Sequence, residues 1–301
     1  MSIRVGVGLG LTDLDDLVSP QLLRHVERIE ELGYDSIWLS DSATLPGPAP
    51  LVALGAIAAR TSRLKLGTSV LVAPARNPVL LAKELATLDA LSEGRVLPAF
   101  GLGIDREPEA AAIGVPKAER AARTEEAIEI VRRLWPGEPV TYEGRFTSLH
   151  GVTLSPATTR TSLDIWLGGS SPAALRRSGR LADGWLGSFV SPPELTRCVE
   201  QIVAAADAAG RTIDDDHYGT ILFSAPSEDA ISPERRALLG LRPDLALDDH
   251  VAIGAHALRE LIDRFVGAGA SKFVVIPLAV DALAWLEELR EEVVAPIEAA
   301  A

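Results

Sequence analysis

The chain has 301 residues, 47% of them hydrophobic and 24% charged, which excludes a disordered, collagenous or low-complexity polypeptide. Its 29 Lys and Arg against 42 Asp and Glu leave a net charge of −13, which repels polyphosphate and argues against nucleic acid as a partner. The one cysteine, Cys198, permits no internal disulfide and no thiolate metal cluster; no apolar run is long enough for a membrane span; and Asp13, Asp15 and Asp16 stand where a signal peptide would be apolar, so a cytoplasmic protein is expected.

In chain order, short apolar or β-branched runs alternate with helical patterns. A first strand is predicted over residues 4–9. A helix follows over 20–32, where Leu22, Leu23, Val26, Ile29 and Leu32 keep helical spacing and Gly33 stops it. Then come a strand at 36–39, a Pro/Gly-rich loop, a helix at 51–60, a strand at 64–71, a helix at 78–91 and a strand at 96–100. A long helix over 117–135 precedes a small hairpin, 140–142 with 146–149, that stands outside the repeat. The alternation resumes with strands at 165–167, 185–189, 218–223 and 272–276. Its helices fall at 171–181, 193–209, 256–267 and 281–294, and a Pro- and charge-rich stretch interrupts at 225–249.

Alternating units of this kind imply a parallel sheet. Eight of them fit a closed (β/α)8 TIM barrel, one domain over residues 1–301 with insertions after strands 4 and 7, better than an open doubly wound sheet. Active sites of such barrels collect where strands end, which singles out residues 40–44, 69–77, 101–109, 168–172 and 188–192, and those from Ser224 and from Pro277 onward.

Several motifs fall there or nearby. Gly6-Val7-Gly8-Leu9-Gly10-Leu11 and Gly101-Leu102-Gly103 resemble the start of a dinucleotide fingerprint, but Leu11 and Arg106 occupy the place of its third glycine. Gly168-Gly169-Ser170-Ser171-Pro172 reads as a strand end, a glycine pair and a serine-capped helix start. That arrangement suits a phosphate, and an ordinary capped turn equally well. The five histidines lack metal-ligand spacing, no metal site is expected, and Asp214-Asp215-Asp216 reads as a solvated turn. Asp105, Glu107 and Glu109 follow a strand, where either acid–base work or a solvated loop explains them. The helices at 51–60 and 78–91 are apolar on more than one face, which points to a homodimer interface or to coverage by an insertion.

Taken in order, residues 31–41 (ELGYDSIWLSD), 66–70 (LGTSV), 88–95 (LDALSEGR), 101–103 (GLG), 119–123 (ERAAR), 166–172 (WLGGSSP) and 182–185 (ADGW) resemble the bacterial luciferase-like flavin and deazaflavin oxidoreductases. The resemblance is greatest to the branch using the deazaflavin coenzyme F420. It implies a dimeric barrel with the ring over the strand ends, a cofactor phosphate near Gly168–Ser171, and a non-prolyl cis bond at Ser69-Val70. The residues it assigns to cofactor contact are Ser40, Asp41, Ser69, Val70, Gly101, Gly103, Gly168, Gly169, Ser170 and Ser171; Arg76 or Arg176 would add charge. Catalytic candidates are Asp41, Ser42 and Asp105. Two departures stand out: Asp41-Ser42 replaces the Asp-His pair of many relatives, and Ile104 stands where sugar-phosphate-oxidising relatives place an acid. The implied activity is hydride transfer between F420 and a small organic substrate. The alternatives are an FMN-dependent monooxygenase and a barrel that binds flavin without turnover.

Overall fold

The computed structural model describes residues 2–9, 20–45, 47–159, 163–240 and 242–300. Expectations for residues 10–19, including Leu11 and the early acidic residues, lie outside the described residues. The first half runs β1 (Arg4–Leu9), α1 (Pro20–Glu31), β2 (Ser36–Leu39), α2 (Pro50–Ala58), β3 (Lys65–Thr68), β4 (Leu71–Val72) and α3 (Pro78–Leu91). Next come β5 (Val96–Leu97), β6 (Ala99–Gly101), α4 (Glu109–Ile113), α5 (Lys117–Leu134), and the antiparallel hairpin of β7 (Val140–Glu143) and β8 (Ser148–Val152). The second half holds β9 (Trp166–Gly168), α6 (Pro172–Leu181), β10 (Gly184–Gly187), α7 (Pro192–Ala208), β11 (Tyr218–Ala225) and α8 (Pro233–Leu239). It ends with β12 (Val251–Ile253), α9 (Ala255–Gly267), β13 (Lys272–Pro277), α10 (Ala282–Leu289) and α11 (Ala295–Ala300).

The strands form a curled, parallel sheet in an α/β fold. β1 pairs with β13 and β2, β2 with β3, and β3 with β5; β4 pairs with β6, then β9, β10, β11 and β13 follow in order. β12 adds to β11. Helix starts follow their sequence signals. Asn77 caps α3 ahead of Pro78, and Ser191 and Glu194 close a capping box on α7.

Strand alternation sorts the core into two layers. Ile37, Leu39, Phe273 and Val275 pack outward against the helices, while Trp38, Val274 and Ile276 join Trp166, Leu186 and Phe223 on the inner side. A Cβ at Gly67 would lie 2.3 Å from the Trp38 ring, and one at Gly6 would lie 2.2 Å from the Ser36 hydroxyl. The first glycine of the Gly6–Gly8 pattern therefore serves inner packing.

Three strand expectations are corrected. The strand over 64–71 breaks into β3 and β4 around a cis Ser69-Val70 peptide, and the one over 96–100 breaks at Pro98. The strand over 185–189 stops at Gly187, since Phe189 takes a left-handed φ of 52°. The interrupting stretch at 225–249 contains α8, and β12 follows it unforeseen: three residues are too few to carry a periodic signal.

Candidate functional site

The expected residues converge where parallel strands end. Ser40, Asp41 and Ser42 follow β2, Ser69-Val70 joins β3 to β4, Gly101–Gly103 ends β6, and Gly168–Ser171 links β9 to α6. Because β4, β6 and β9 are consecutive neighbours, Val70 and the two glycine turns form one ledge. A Cβ at Gly101 would lie 2.4 Å from Val70 Cγ2, and one at Gly168 would lie 3.2 Å from Val70 Cγ1. The glycines thus leave the space that the Val70 side chain occupies. Ser40 donates its hydroxyl to the Ser69 carbonyl at 3.2 Å, tying the end of β2 to the same ledge.

Beyond β9 the chain makes an exposed turn. Gly169 has φ 101°, a region open to glycine, and its carbonyl accepts from the Trp185 indole at 3.0 Å. Ser171 caps α6 by accepting from the Ala174 amide, and Pro172 has no N–H to give. Of the first helical turn, the Ala173 amide, like any at that position, has no intrahelical carbonyl to meet. The ADGW run is explained here: Trp185 holds the turn, and Asp183 accepts from Arg132, Arg211 and the Ile165 amide.

The catalytic candidates are each engaged. Asp41 accepts from the Val72 amide and from Arg76, both at 2.9 Å, so Arg76 is committed to a neighbouring carboxylate instead of standing free for an anion. Arg176 remains exposed on α6. Asp105 pairs with Lys117 at 2.7 Å and lies 3.8 Å from Arg120. The hydrogen bond from Lys117 holds its carboxyl below the ordinary range, a poor setting for a proton donor. Arg120 itself is buried and clamps the carbonyls of Ile104 and Val115, which gives the ERAAR run its structural reason.

Ser42 donates to Glu109 at 2.8 Å. The same carboxylate accepts from the Ala43 amide at 2.9 Å, the Thr44 amide at 2.9 Å and the Thr44 hydroxyl at 2.6 Å. Burial pushes the Glu109 carboxyl up, but hydrogen bonds from Thr44, Ala43 and Ser42 outweigh it and the net shift is downward. Of the three acids at 105–109, the tertiary structure selects Glu109. Nothing in its spacing to Ser42, 67 residues away, distinguishes it from Glu107.

Elsewhere, His250 is buried between the rings of Phe189 and Phe223, and burial lowers its pKa, so it stays neutral there. Asp214, Asp216 and His217 bring ligand atoms within 4.8 Å of one another, although both carboxylates are exposed. Two cavities, of about 440 and 320 Å³, lie away from the ledge: one between α5, β7 and α6, the other at the N-terminal ends of the strands. No helix of the described residues is long and apolar enough to cross a membrane.

Residues 11–263 match the luciferase-like monooxygenase family. The F420-dependent glucose-6-phosphate dehydrogenase of Microbacterium testaceum is 38% identical over 200 residues, which cover 62% of this chain and 58% of that protein. The protein of the same description from Nakamurella multipartita is 34% identical over 233 residues, 71% of this chain and 67% of the relative. The matched part therefore spans only about three fifths to two thirds of these relatives. In structure, an F420-dependent secondary alcohol dehydrogenase in complex with an F420-acetone adduct superposes with a TM-score of 0.84 at 20% identity, covering 99% of both chains.

Proposed function

Since the chain belongs to the luciferase-like monooxygenase family, we propose that it is an F420-dependent oxidoreductase acting on a small organic substrate. The observation that carries the reading is the ledge itself: Val70, set between Gly101 and Gly168, adjoins an exposed glycine-serine turn at a helix start. The two glucose-6-phosphate dehydrogenases named above, both F420-dependent by description, support the choice of cofactor. Coenzyme F420 supplies hydride transfer when bound.

This chain's residues do the positioning. Val70 presents an apolar shelf for a flat ring, and Gly101 and Gly103 keep the neighbouring turn low. The amides of Gly169, Ser170, Ser171 and Ala173, with the dipole of α6 behind them, suit an anionic phosphate, and the exposed Arg176 is the nearest cation on that helix. Ser40 and Asp41 fix the ledge from β2. Ser42 and Glu109 shape the substrate side. Ser42 gives its proton to a carboxylate already holding three other donors, so neither is poised as a general base.

The pairing pattern supports a finer reading of the fold. Taking β3 with β4 and β5 with β6 as single interrupted strands, the sheet runs as eight strands that close through β1 and β13. One domain then carries insertions after the fourth strand, as hairpin β7–β8, and after the seventh, as α8 and β12. Exposed Val52, Leu80 and Leu91 on α2 and α3 support a homodimer, and the lone buried thiol of Cys198 fits a cytoplasmic setting.

Fluorescence titration with F420 and, separately, with FMN tests the proposal. F420 is expected to bind, and Gly169→Val, which forces a β-branched residue into φ 101°, to weaken it about tenfold or more. Binding of FMN alone, or an unchanged affinity in Gly169→Val, would overturn it.

A further inference from the structure

The end of the sheet opposite the ledge carries a second feature, independent of the cofactor reading. A cavity of about 320 Å³, at the low end of the size of small-molecule sites, opens at the first residues of β1, β3, β5, β9 and β13. Arg4, Arg63, Lys65, Arg95 and Lys272 line it, against Asp164 and Asp216. The carboxylates of Asp35, Glu30 and Glu93 act on these cations from outside the lining, so the excess of positive groups belongs to the cavity wall itself, in a chain whose net charge is −13.

The cations are under-matched. Lys65 and Lys272 share the single carboxylate of Asp35, at 3.2 and 3.1 Å. Arg95 spends its guanidinium on the carbonyls of Ala58, Thr61, Leu64 and Ser92, so among the described residues its charge meets no carboxylate at ion-pair distance. The Arg63 guanidinium donates to the backbone carbonyl of Glu30 and makes no ion pair among the described residues, while the Glu30 carboxylate accepts from the Arg63 amide at 2.7 Å. Arg4 is exposed and makes no ion pair among the described residues. Trp166 also lines the cavity; it is 1% exposed, and its indole Nε1 has no hydrogen-bond partner among the described residues.

A purely structural role would give each cation its own carboxylate, as Glu27 does for Arg60. Here a low-dielectric wall with surplus cations concentrates field of one sign, and guanidinium groups match tetrahedral oxyanions in geometry. We propose that this cavity is a binding site for a phosphate-type oxyanion, either free or carried on a small metabolite.

The test uses the full chain in a phosphate-free buffer at constant ionic strength, with chloride as the control. The probe is inorganic phosphate, followed by the indole N–H resonances of the five tryptophans. The Trp166 signal, identified by its loss in Trp166→Phe, is expected to shift saturably with phosphate and not with chloride. In Arg4→Ala/Arg63→Ala the affinity is expected to fall about tenfold or more, as for loss of charged hydrogen bonds. Arg4→Gln, a change at an exposed side chain, is expected to weaken it in the same direction and serves if the double variant does not fold. Gly169→Val, which disables the proposed cofactor turn, is expected to leave the phosphate response intact. An equal response to chloride, no saturable shift, or a response kept by the Arg4 and Arg63 variants but lost in Gly169→Val would overturn the site. That last pattern would place phosphate at the ledge and leave the F420 reading standing.

Discussion

Glu109 gives the sharpest test of how the substrate side is held. The residue is 4% exposed and its carboxylate accepts four hydrogen bonds from three consecutive residues, so it pins the turn after β2 onto α4. Charge-assisted hydrogen bonds contribute roughly 1.5–3 kcal/mol each, but Ala43 and Thr44 lie in contact with water and would be rehydrated once released. Glu109→Ala is therefore expected to cost about 2–4 kcal/mol, nearer the value of one or two such bonds than of four. Glu109→Gln keeps the shape but turns an NH2 group toward donors, and should lose a comparable amount. The pH dependence has a fixed sign. The folded carboxyl sits below its ordinary value of 4.5, so its stabilisation is fully present above that value and disappears as pH falls through the lowered one. Urea unfolding at pH 7 should separate parent from Glu109→Gln, and the gap should narrow at acidic pH. A difference under about 0.5 kcal/mol at neutral pH, within the usual scatter of surface substitutions, would refute the clamp. So would a gap that widens on acidification. Ser42→Ala, which removes one donor from the same clamp, should lower kcat/KM only about 2- to 15-fold, the scale of a single hydrogen bond; a loss beyond a thousandfold would mean that Ser42 is an activated group.

Two further outcomes follow from packing. Gly101→Ala places a Cβ 2.4 Å from Val70 Cγ2, so Val70 must move; about 1–3 kcal/mol of stability should be lost in thermal or urea unfolding, and F420 affinity should fall with it. An unchanged unfolding midpoint and affinity would show that the ledge is not set by this contact. Leu80, 60% exposed on α3, which packs against α2 and its exposed Val52, should lie within the proposed dimer interface. Sedimentation of Leu80→Glu is expected to shift the protein toward monomer, and a parent that is already monomeric at micromolar concentration would remove the interface.

The alternation of apolar runs and helical patterns determined by itself that the sheet is parallel and where most helices lie. Period and capping are local properties: Asn77-Pro78 and Ser171-Pro172 mark helix starts without reference to any other part of the chain. The ordered motifs likewise identified the family, and the residues of the ledge could be named before their contacts were known. What the chain alone did not decide are relations between distant residues. Glu107 and Glu109 look alike in sequence, yet only Glu109 meets the turn at 42–44, because α4 carries it there. Arg76 reads as a free cation until Asp41, 35 positions earlier, is seen to hold it. The glycine pattern beginning at Gly6 resembles a nucleotide loop until the inner face of the sheet shows how little room it leaves beside Ser36 and Trp38. The basic cavity has no sequence signature at all, since its cations come from the starts of β1, β3, β5 and β13 or the residues just before them. Side chains scattered through the chain become one site only when parallel pairing brings those strand starts to a common end, and that pairing is a tertiary event.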